Sequence, residues 1–458
     1  MAFFPTAMSF PAILGEFYSA ALSSPGFTWQ SSPAMTELEV IVLDWLANML
    51  HLPACFQSST QGGGVIQGSA SESTHIAMVV AKERYVHKAC AGVSNFEQEQ
   101  KSAHTRSRLV VLGSEQSHSG IAKAARIAGV RYKSIHTRFE DNLAVTGEGF
   151  RLALAECKKE NLEPFFLTAT LGTTATCAID DLEAITSINN KAESFPPLWI
   201  HVDAAWAGAA LILEEYAHLA MPLNHVDSFD VNMHKWLLVN FDCSCMFVRN
   251  KRNLTDILSF TPSYLRNAYS DSGLVTDYRD WQVPLGRRFR SLKLWFVIRV
   301  YGVNGMKAHI KRHLDLGEKF ASWVRGRPDL FRVIAPPAFA LTTFTVVLPG
   351  NQHSVRVEGH NSLTESQGEA RKLASNDVAG YQNALASANA VTREVCRRIN
   401  ISGKIFLTGA EVNGVYAIRV VSANQATNEH SLCSAFEFIL KTTEEVLDSI
   451  DMNGASFD

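Results

Sequence analysis

Two short stretches, His201-Val202-Asp203-Ala204-Ala205-Trp206 and Asn232-Met233-His234-Lys235-Trp236, carry the residue types with the most chemistry to offer. Trp199-Ile200-His201-Val202 reads as a buried strand, so Asp203 stands where that strand ends. Open α/β sheets hold their ligands at the carboxyl ends of strands. A carboxylate there can pair with a protonated pyridine nitrogen, and Lys235, flanked by His234 and Trp236, can bond an aldehyde as a Schiff base. Pyridoxal phosphate (PLP) needs these two protein groups, a Schiff-base lysine and an acidic partner for its pyridinium. A lone lysine is ordinarily exposed; a lysine following an acidic strand end in this order points to a PLP site.

Other residues could complete such a site. Gly68-Ser69-Ala70-Ser71 precedes a helix, where small residues let backbone N–H groups approach a phosphate and the helix start favours an anion; it could equally be a turn that caps the helix. Ser228 and Asn232, near the lysine, could add to that cradle. Gln116-Ser117-His118-Ser119 follows a strand, and His118 could stack on a pyridine face or be a structural histidine. Thr170-Leu171-Gly172-Thr173-Thr174 brings hydroxyls, Thr174 included, to the same sheet edge, or is a turn capped by its own side chains. Tyr264 lies in a polar segment broken by Pro262, and Leu285 to Arg290 is strongly basic, which without its neighbours would read as a solvated face.

Positioning these groups requires a layered α/β fold. Strands are expected at Leu109–Leu112, Phe165–Ala169, Leu198–Val202 and Cys245–Val248, with helical segments between several of them. That alternation predicts a mostly parallel sheet covered on both faces. Thr36 to Glu39 matches a capping box for an amphipathic helix, and a helix is expected from Glu72 to Ala91. A helix from about Met306 leads into a smaller domain with strands at Ala340–Leu348 and Val415–Val421 and a closing helix at His430–Leu447. The expected divisions are 1–38, 39–305 and 306–458, with a Ser-, Asn-, Glu- and Gly-rich insertion over about 351–382 too polar to offset the entropy of ordering it.

Composition narrows the class. With 47% hydrophobic and 19% charged residues, the 458-residue chain fits a globular protein with a sizeable core. A formal charge of −3 argues against nucleic acid or a basic membrane surface as partner. The longest apolar run, Ala204 to Leu213, is shorter than the roughly 20 residues of a membrane span. The first fifteen residues are uncharged but lack a basic leading segment and contain Pro5 and Pro11, unlike a signal peptide. The eight cysteines are scattered, and Cys243-Ser244-Cys245 is too closely spaced for a zinc pair. Reduced thiols, no metal and a cytoplasmic location are expected.

The chain resembles the PLP-dependent aromatic-L-amino-acid decarboxylases, the group II amino-acid decarboxylase family. The resemblance rests on Phe4-Pro5-Thr6, Ser32-Pro33-Ala34-Met35-Thr36-Glu37-Leu38-Glu39 and Gly64-Val65-Ile66-Gln67-Gly68-Ser69-Ala70-Ser71-Glu72. It continues through Thr170 to Thr174, His201 to Ala205, and His234-Lys235-Trp236 into Leu237 to Cys243, running from Phe3 to about Val303 and more weakly to Leu447. It implies the aspartate-aminotransferase type (type I) of PLP fold and a homodimer with active sites at the interface. It makes Lys235 the Schiff-base lysine and Asp203 the pyridinium partner, with His118 and Ala205 on the two ring faces and Ala70, Ser71 and Asn232 at the phosphate. Thr174 and His234 join the cofactor-binding set. Phe4, Pro5, Thr6, Pro25 and Phe27 would line an aromatic pocket, the last two from the partner subunit, and Tyr264 would come from a partner loop to protonate the substrate carbon. Relatives with Phe in place of Tyr264 release aldehyde, and relatives selective for histidine or tyrosine tend to carry Ser where Gly286 stands here. Tryptophan, 5-hydroxytryptophan or dopa are therefore the expected substrates. Phe3, Phe4 and Phe27 offer no evident cation for a side-chain carboxylate, which disfavours glutamate.

In three places the chain departs from the family. Its amino-terminal helices, which precede the equivalent of Phe3, are not in this sequence; Met233 stands where the family carries proline; and the insertion after Gly350 has no counterpart in the shorter animal members. The alternatives are an aromatic aldehyde synthase on the same scaffold and a truncated, non-catalytic paralogue.

Overall fold

The apolar runs at 109–112, 165–169 and 198–202 become neighbouring strands because each can bury both of its faces. In the computed structural model, which describes residues 1–191, 194–348 and 375–453, they form the middle of a seven-stranded sheet. Its strands are β1 (Gly63–Gln67), β2 (Leu109–Ser114), β3 (Arg131–Ile135), β4 (Glu163–Thr170), β5 (Trp199–Asp203), β6 (Ser228–Asn232) and β7 (Ser244–Val248). Their spatial order is β1-β7-β6-β5-β4-β2-β3. β3, β2, β4, β5 and β6 run parallel, whereas β7 is antiparallel to both β6 and β1. All strands except β7 therefore end at one edge, and β7 begins there. The register aligns Gln67, Ser244 and Asn232 across one row, and Thr170, Asp203 and Asp230 across another.

A smaller antiparallel sheet follows, of β8 (Phe331–Val333), β9 (Leu341–Val346), β10 (Thr408–Val412) and β11 (Val415–Val421) in the order β10-β11-β9-β8. Helices Ser375–Ile401 and Glu429–Asn453 flank it, around a core that includes Phe320, Phe344, Val395, Ile418 and Ile439. The two sheets are joined by helix Arg290–Arg325, which is broken at Gly302 (φ 61°, ψ 178°), a backbone state that glycine reaches without a Cβ penalty. The α/β class, the mostly parallel large sheet and the α+β remainder are as expected.

Several local expectations need correction. β1, β3, β6, β8 and β10 were not foreseen. β1 begins with two glycines, poor strand formers, but at Gly64 a Cβ would meet the Phe247 ring at 2.9 Å, so close packing replaces propensity. Thr36 is not a helix cap. The helix is Pro33–Met49 with Ser32 at its N-cap and Pro33 in its first turn, which places Thr36 and Glu39 inside it, both buried. Residues 351–374 of the expected insertion lie outside the described residues, and its last part, from Ser375, is already helix.

Nor is Arg287 part of a solvated basic face. Its Nη1 and Nη2 donate to Glu39 Oε2 and Oε1 at 2.9 and 2.6 Å, and its Nε donates to Gln282 at 2.8 Å. Glu39 also accepts the Ile66 amide at 2.9 Å, and the Arg287 amide donates to the Pro25 carbonyl at 2.9 Å. One buried ion pair thus ties helix Pro33–Met49, strand β1, the Pro25 segment and the Gly286 loop together. Removing one partner from such a pair strands a buried charge. Arg287→Met is accordingly expected to cost about 3–5 kcal/mol of stability in urea unfolding; a loss below about 1 kcal/mol would mean that Glu39 behaves as an exposed partner.

Candidate active site

The shared strand edge gathers a cavity of about 210 Å³ lined by residues from six separate segments. Lys235 reaches it from a single helical turn, Met233–Trp236, that begins directly after β6. Met233, where the resembled family has proline, is fully buried and its carbonyl accepts the Leu237 amide at 3.2 Å, so the turn closes without proline. Burial lowers the Lys235 amine below its usual range, with the charges of Asp203 and Asp230 pulling the other way. A lysine so lowered carries more of the neutral, nucleophilic amine. Its Nζ lies 5.8 Å from the centre of the Phe4 ring. Phe4 stacks on Trp206 (4.2 Å), and Trp206 stacks on Trp236 (4.3 Å, 3° between planes).

The start of helix Ala70–Ala89 lines the cavity. Ser69 is its N-cap, accepting the Glu72 amide at 3.2 Å, and Ala70 and Ser71 form the first turn. Free N–H groups and the helix dipole make this end anion-seeking. Asn232 also lines the cavity, with a buried Oδ1 that has no hydrogen-bond partner among the described residues. Thr170, the last residue of β4, whose buried Oγ1 is likewise unpartnered, lines it too, as does Thr174 from the loop that follows. Gly172 turns that loop at φ 92°, where a Cβ would meet Ala207 at 2.5 Å. Thr173 caps the same turn by accepting the Ala178 amide at 3.0 Å, so both sequence-based readings of the segment hold, for different threonines.

Asp203, also lining the cavity, accepts the Ala205 amide on Oδ1 at 3.0 Å. Behind it His201, fully buried, meets Ser228 Oγ at 2.8 Å and Thr74 Oγ1 at 3.2 Å, and burial pushes it down to about 4. The His201 imidazole therefore stays neutral. His118 and Ala205 line the cavity from two different strand ends, β2 and β5. His118 Nδ1 accepts the Gly120 amide at 3.0 Å, so the neutral ring carries its proton on Nε2. His234 also lines the cavity; its Nδ1 sits 2.9 Å from the Cys243 amide nitrogen and 2.8 Å from its carbonyl oxygen, and burial lowers it to about 4.

Other expected residues lie elsewhere. Ser228 is at the far end of β6, buried and bound to Trp199 and His201, so it is no part of a phosphate cradle. Of the expected aromatic pocket only Phe4 lines this cavity. Pro5 is half-buried and Thr6 exposed, while Phe3 is exposed and packs on Phe406 at 6.2 Å. Pro25 and Gly286 line a separate cavity of about 680 Å³, and half-buried Phe27 holds the Arg279 amide through its carbonyl. Tyr264 is 77% exposed in the turn Ser263–Leu265 and does not reach the Lys235 cavity within this chain. A cation does approach the phenylalanines: the Arg419 guanidinium from β11 lies 5.2 Å from the Phe4 ring centre, with Nε and Nη2 buried and unpartnered among the described residues.

Sequence reasoning misses Arg419 and Asp230, and takes Trp206 only as a flank of the Asp203 stretch. Asp230 had a signal, since it lies two residues before Asn232 on a strand and so shares its face.

Pyridoxal phosphate fits this arrangement. An anion-seeking helix start, the Asp203 carboxylate and a desolvated lysine surround one cavity, and the orphaned Asn232 and Thr170 oxygens await a polar ligand. A family model described as pyridoxal-dependent decarboxylase conserved domain matches residues 1–347. Aromatic-L-amino-acid decarboxylase of Cavia porcellus is 43% identical over 367 residues, 80% of this chain and 72% of that one. Phenylacetaldehyde synthase of Arabidopsis thaliana is 36% identical over 449 residues, 97% of this chain and 82% of that one. The crystal structure of Oryza sativa TDC with PLP and tryptamine superposes with a TM-score of 0.83 at 35% identity, covering 97% of this chain and 83% of that one. With that match and this cavity, the chain belongs to the pyridoxal-dependent decarboxylase family.

Proposed function

We propose that this protein decarboxylates aromatic L-amino acids, with tryptophan, 5-hydroxytryptophan and dopa as the leading candidates, releasing carbon dioxide and the arylalkylamine. The observation that carries the reading is the Phe4 ring 5.8 Å from Lys235 Nζ, an aromatic wall beside the amine that bonds the cofactor. When bound, PLP supplies a protonated pyridine ring that takes up the electron pair of the breaking Cα–carboxylate bond. Lys235 would bond its aldehyde, and Asp203 would keep the proton on its nitrogen. Ala70, Ser71, Asn232, Thr174 and His234 would hold the cofactor, with His118 and Ala205 beside its ring.

Once carbon dioxide has left, Cα must gain a proton, and the Tyr264 hydroxyl is the donor. Within one chain Tyr264 stands outside the cavity, so this role requires a second subunit. A homodimer with shared sites is supported by the separation of Phe4 from Pro25 and Gly286, the pocket-sizing residues. It is also supported by helix Phe10–Leu22, whose outer face leaves Phe10, Phe17 and Leu22 exposed. An apolar face of that kind marks a protein contact. Eight cysteines without a disulfide suit a reducing, cytoplasmic setting. No helix among the described residues is long and apolar enough to cross a membrane.

Borohydride treatment of the PLP-loaded enzyme should fix the cofactor to Lys235; label on another lysine, or none with PLP present, would favour the non-catalytic alternative. Asp203→Ala should lower turnover at least about a hundredfold, since the charge that holds the ring proton is gone, and unchanged turnover would remove Asp203 from that role. Tyr264→Phe keeps the ring and removes the acid. Incubated with aromatic amino acids, it should release carbon dioxide with aldehyde, ammonia and peroxide in place of most of the amine, oxygen being consumed. Mostly amine would assign the proton to another group, and aldehyde from the unmodified enzyme would make it an aldehyde synthase.

A further inference from the structure

A second carboxyl lies in register with Asp203. β5 and β6 pair in parallel with Asp203 opposite Asp230, so the two side chains leave the sheet on one face. Asp230 is fully buried. Its Oδ1 accepts the Ser244 hydroxyl at 2.6 Å, while its Oδ2 has no partner among the described residues. A buried carboxyl oxygen without a partner costs free energy unless it serves a ligand or a proton.

We propose that Asp230 is an electrostatic positioning residue of the cofactor site, a second acid beside Asp203 whose ionisation sets the negative charge facing the ring nitrogen and Lys235. The inference rests on the reading that Asp203 faces that nitrogen. Each neighbouring element contributes a group. From β5 come Asp203 and His201, the latter engaged by Ser228 and Thr74. From the turn after β6 comes Lys235, which senses both carboxylates. β7 offers the Ser244 hydroxyl and the Cys245 thiol, and helix Ala70–Ala89 the Ser73 hydroxyl. Burial lifts the Asp230 carboxyl to about 7, with the Ser244 and Ser73 hydroxyls opposing and Asp203 reinforcing the rise.

Two consequences follow from that position. A carboxyl raised in the fold stabilises the protein while protonated, and that contribution is lost as pH climbs from its unfolded value through about 7. Above that pH the second negative charge favours the cationic forms of the ring nitrogen and of the Lys235–cofactor bond.

Asp230→Asn tests both. In the cofactor-free protein, the melting-temperature advantage of the variant over the wild type should widen from pH 5 to about pH 7 and then level off. In the PLP-loaded protein, the midpoint of the visible-absorbance pH titration should fall by roughly one unit in the variant, about a tenfold change in that equilibrium. A melting-temperature difference that does not vary with pH, together with identical titration midpoints, would overturn the proposal; a purely structural role would move stability at every pH alike. Should Asp230→Asn fail to fold, Ser244→Ala removes the hydroxyl that favours the charged form and should raise the pH at which the cofactor-free protein loses stability; an unmoved midpoint would again overturn it. The two readings fail separately: PLP that borohydride does not fix to wild-type Lys235 defeats the cofactor-site assignment, whereas fixed PLP with unaltered midpoints defeats only the role of Asp230.

Discussion

Parallel pairing of β5 with β6 is the constraint on which the site depends. It brings the end of one strand, carrying Asp203, beside the end of the next, which turns at once into the helical turn bearing Lys235. The backbone positions of the acid and the amine beside one cavity are thereby fixed by strand hydrogen bonds. The Ala204 amide donates to the Asp230 carbonyl at 3.0 Å and the Asn232 amide to the Ala205 carbonyl at 3.2 Å, which extends the pairing past the formal strand ends. A cofactor with charged groups at opposite ends of a flat ring is read by exactly spaced rigid elements more reliably than by loops.

Around this pair the aromatic residues form a continuous stack. Phe4, Trp206 and Trp236 lie face to face, and the Trp236 indole N–H donates to His313 Nδ1 at 2.9 Å, inside helix Arg290–Arg325. Burial presses His313 down to about 3, so it remains a neutral acceptor. Trp206 donates its own N–H to the Phe339 carbonyl at 3.0 Å, just ahead of β9. The amino-terminal segment is fastened to the same place, with the Ala7 amide on the His234 carbonyl at 2.7 Å. Lys235 thus sits where the large sheet, the linking helix and the first residues of the chain converge.

Strands β2, β4, β5 and β7 were legible because their apolar runs have no competing reading, and Asp203 and Lys235 because acid and amine chemistry is specific. β6 was hidden because Ser228, Asp230 and Asn232 alternate with Phe229 and Val231, the pattern of a half-exposed strand or a loop, yet every residue of it is buried. Ser228 is bound by His201 on β5 and the Oδ1 of Asp230 by Ser244 on β7, partners that no local pattern announces. Glu39 misled for a similar reason: its spacing from Thr36 suits a cap, but its charge is claimed by Arg287, far along the chain. Arg419 could not be placed beside Phe4 without knowing how the second sheet meets the first. Tyr264, Pro25 and Gly286 are legible only as family motifs, because none of them lines the Lys235 cavity within this chain.

The face-to-face indoles of Trp206 and Trp236 have an optical consequence. Both are buried, and their planes lie within 3° of each other at 4.3 Å, with Lys235 next in sequence to one of them. Their emission arises beside the amine proposed to bond pyridoxal phosphate, a chromophore absorbing where indole emits. Excitation energy would pass from them to the bound ring, so the protein's intrinsic fluorescence carries a built-in gauge of cofactor occupancy that needs no label.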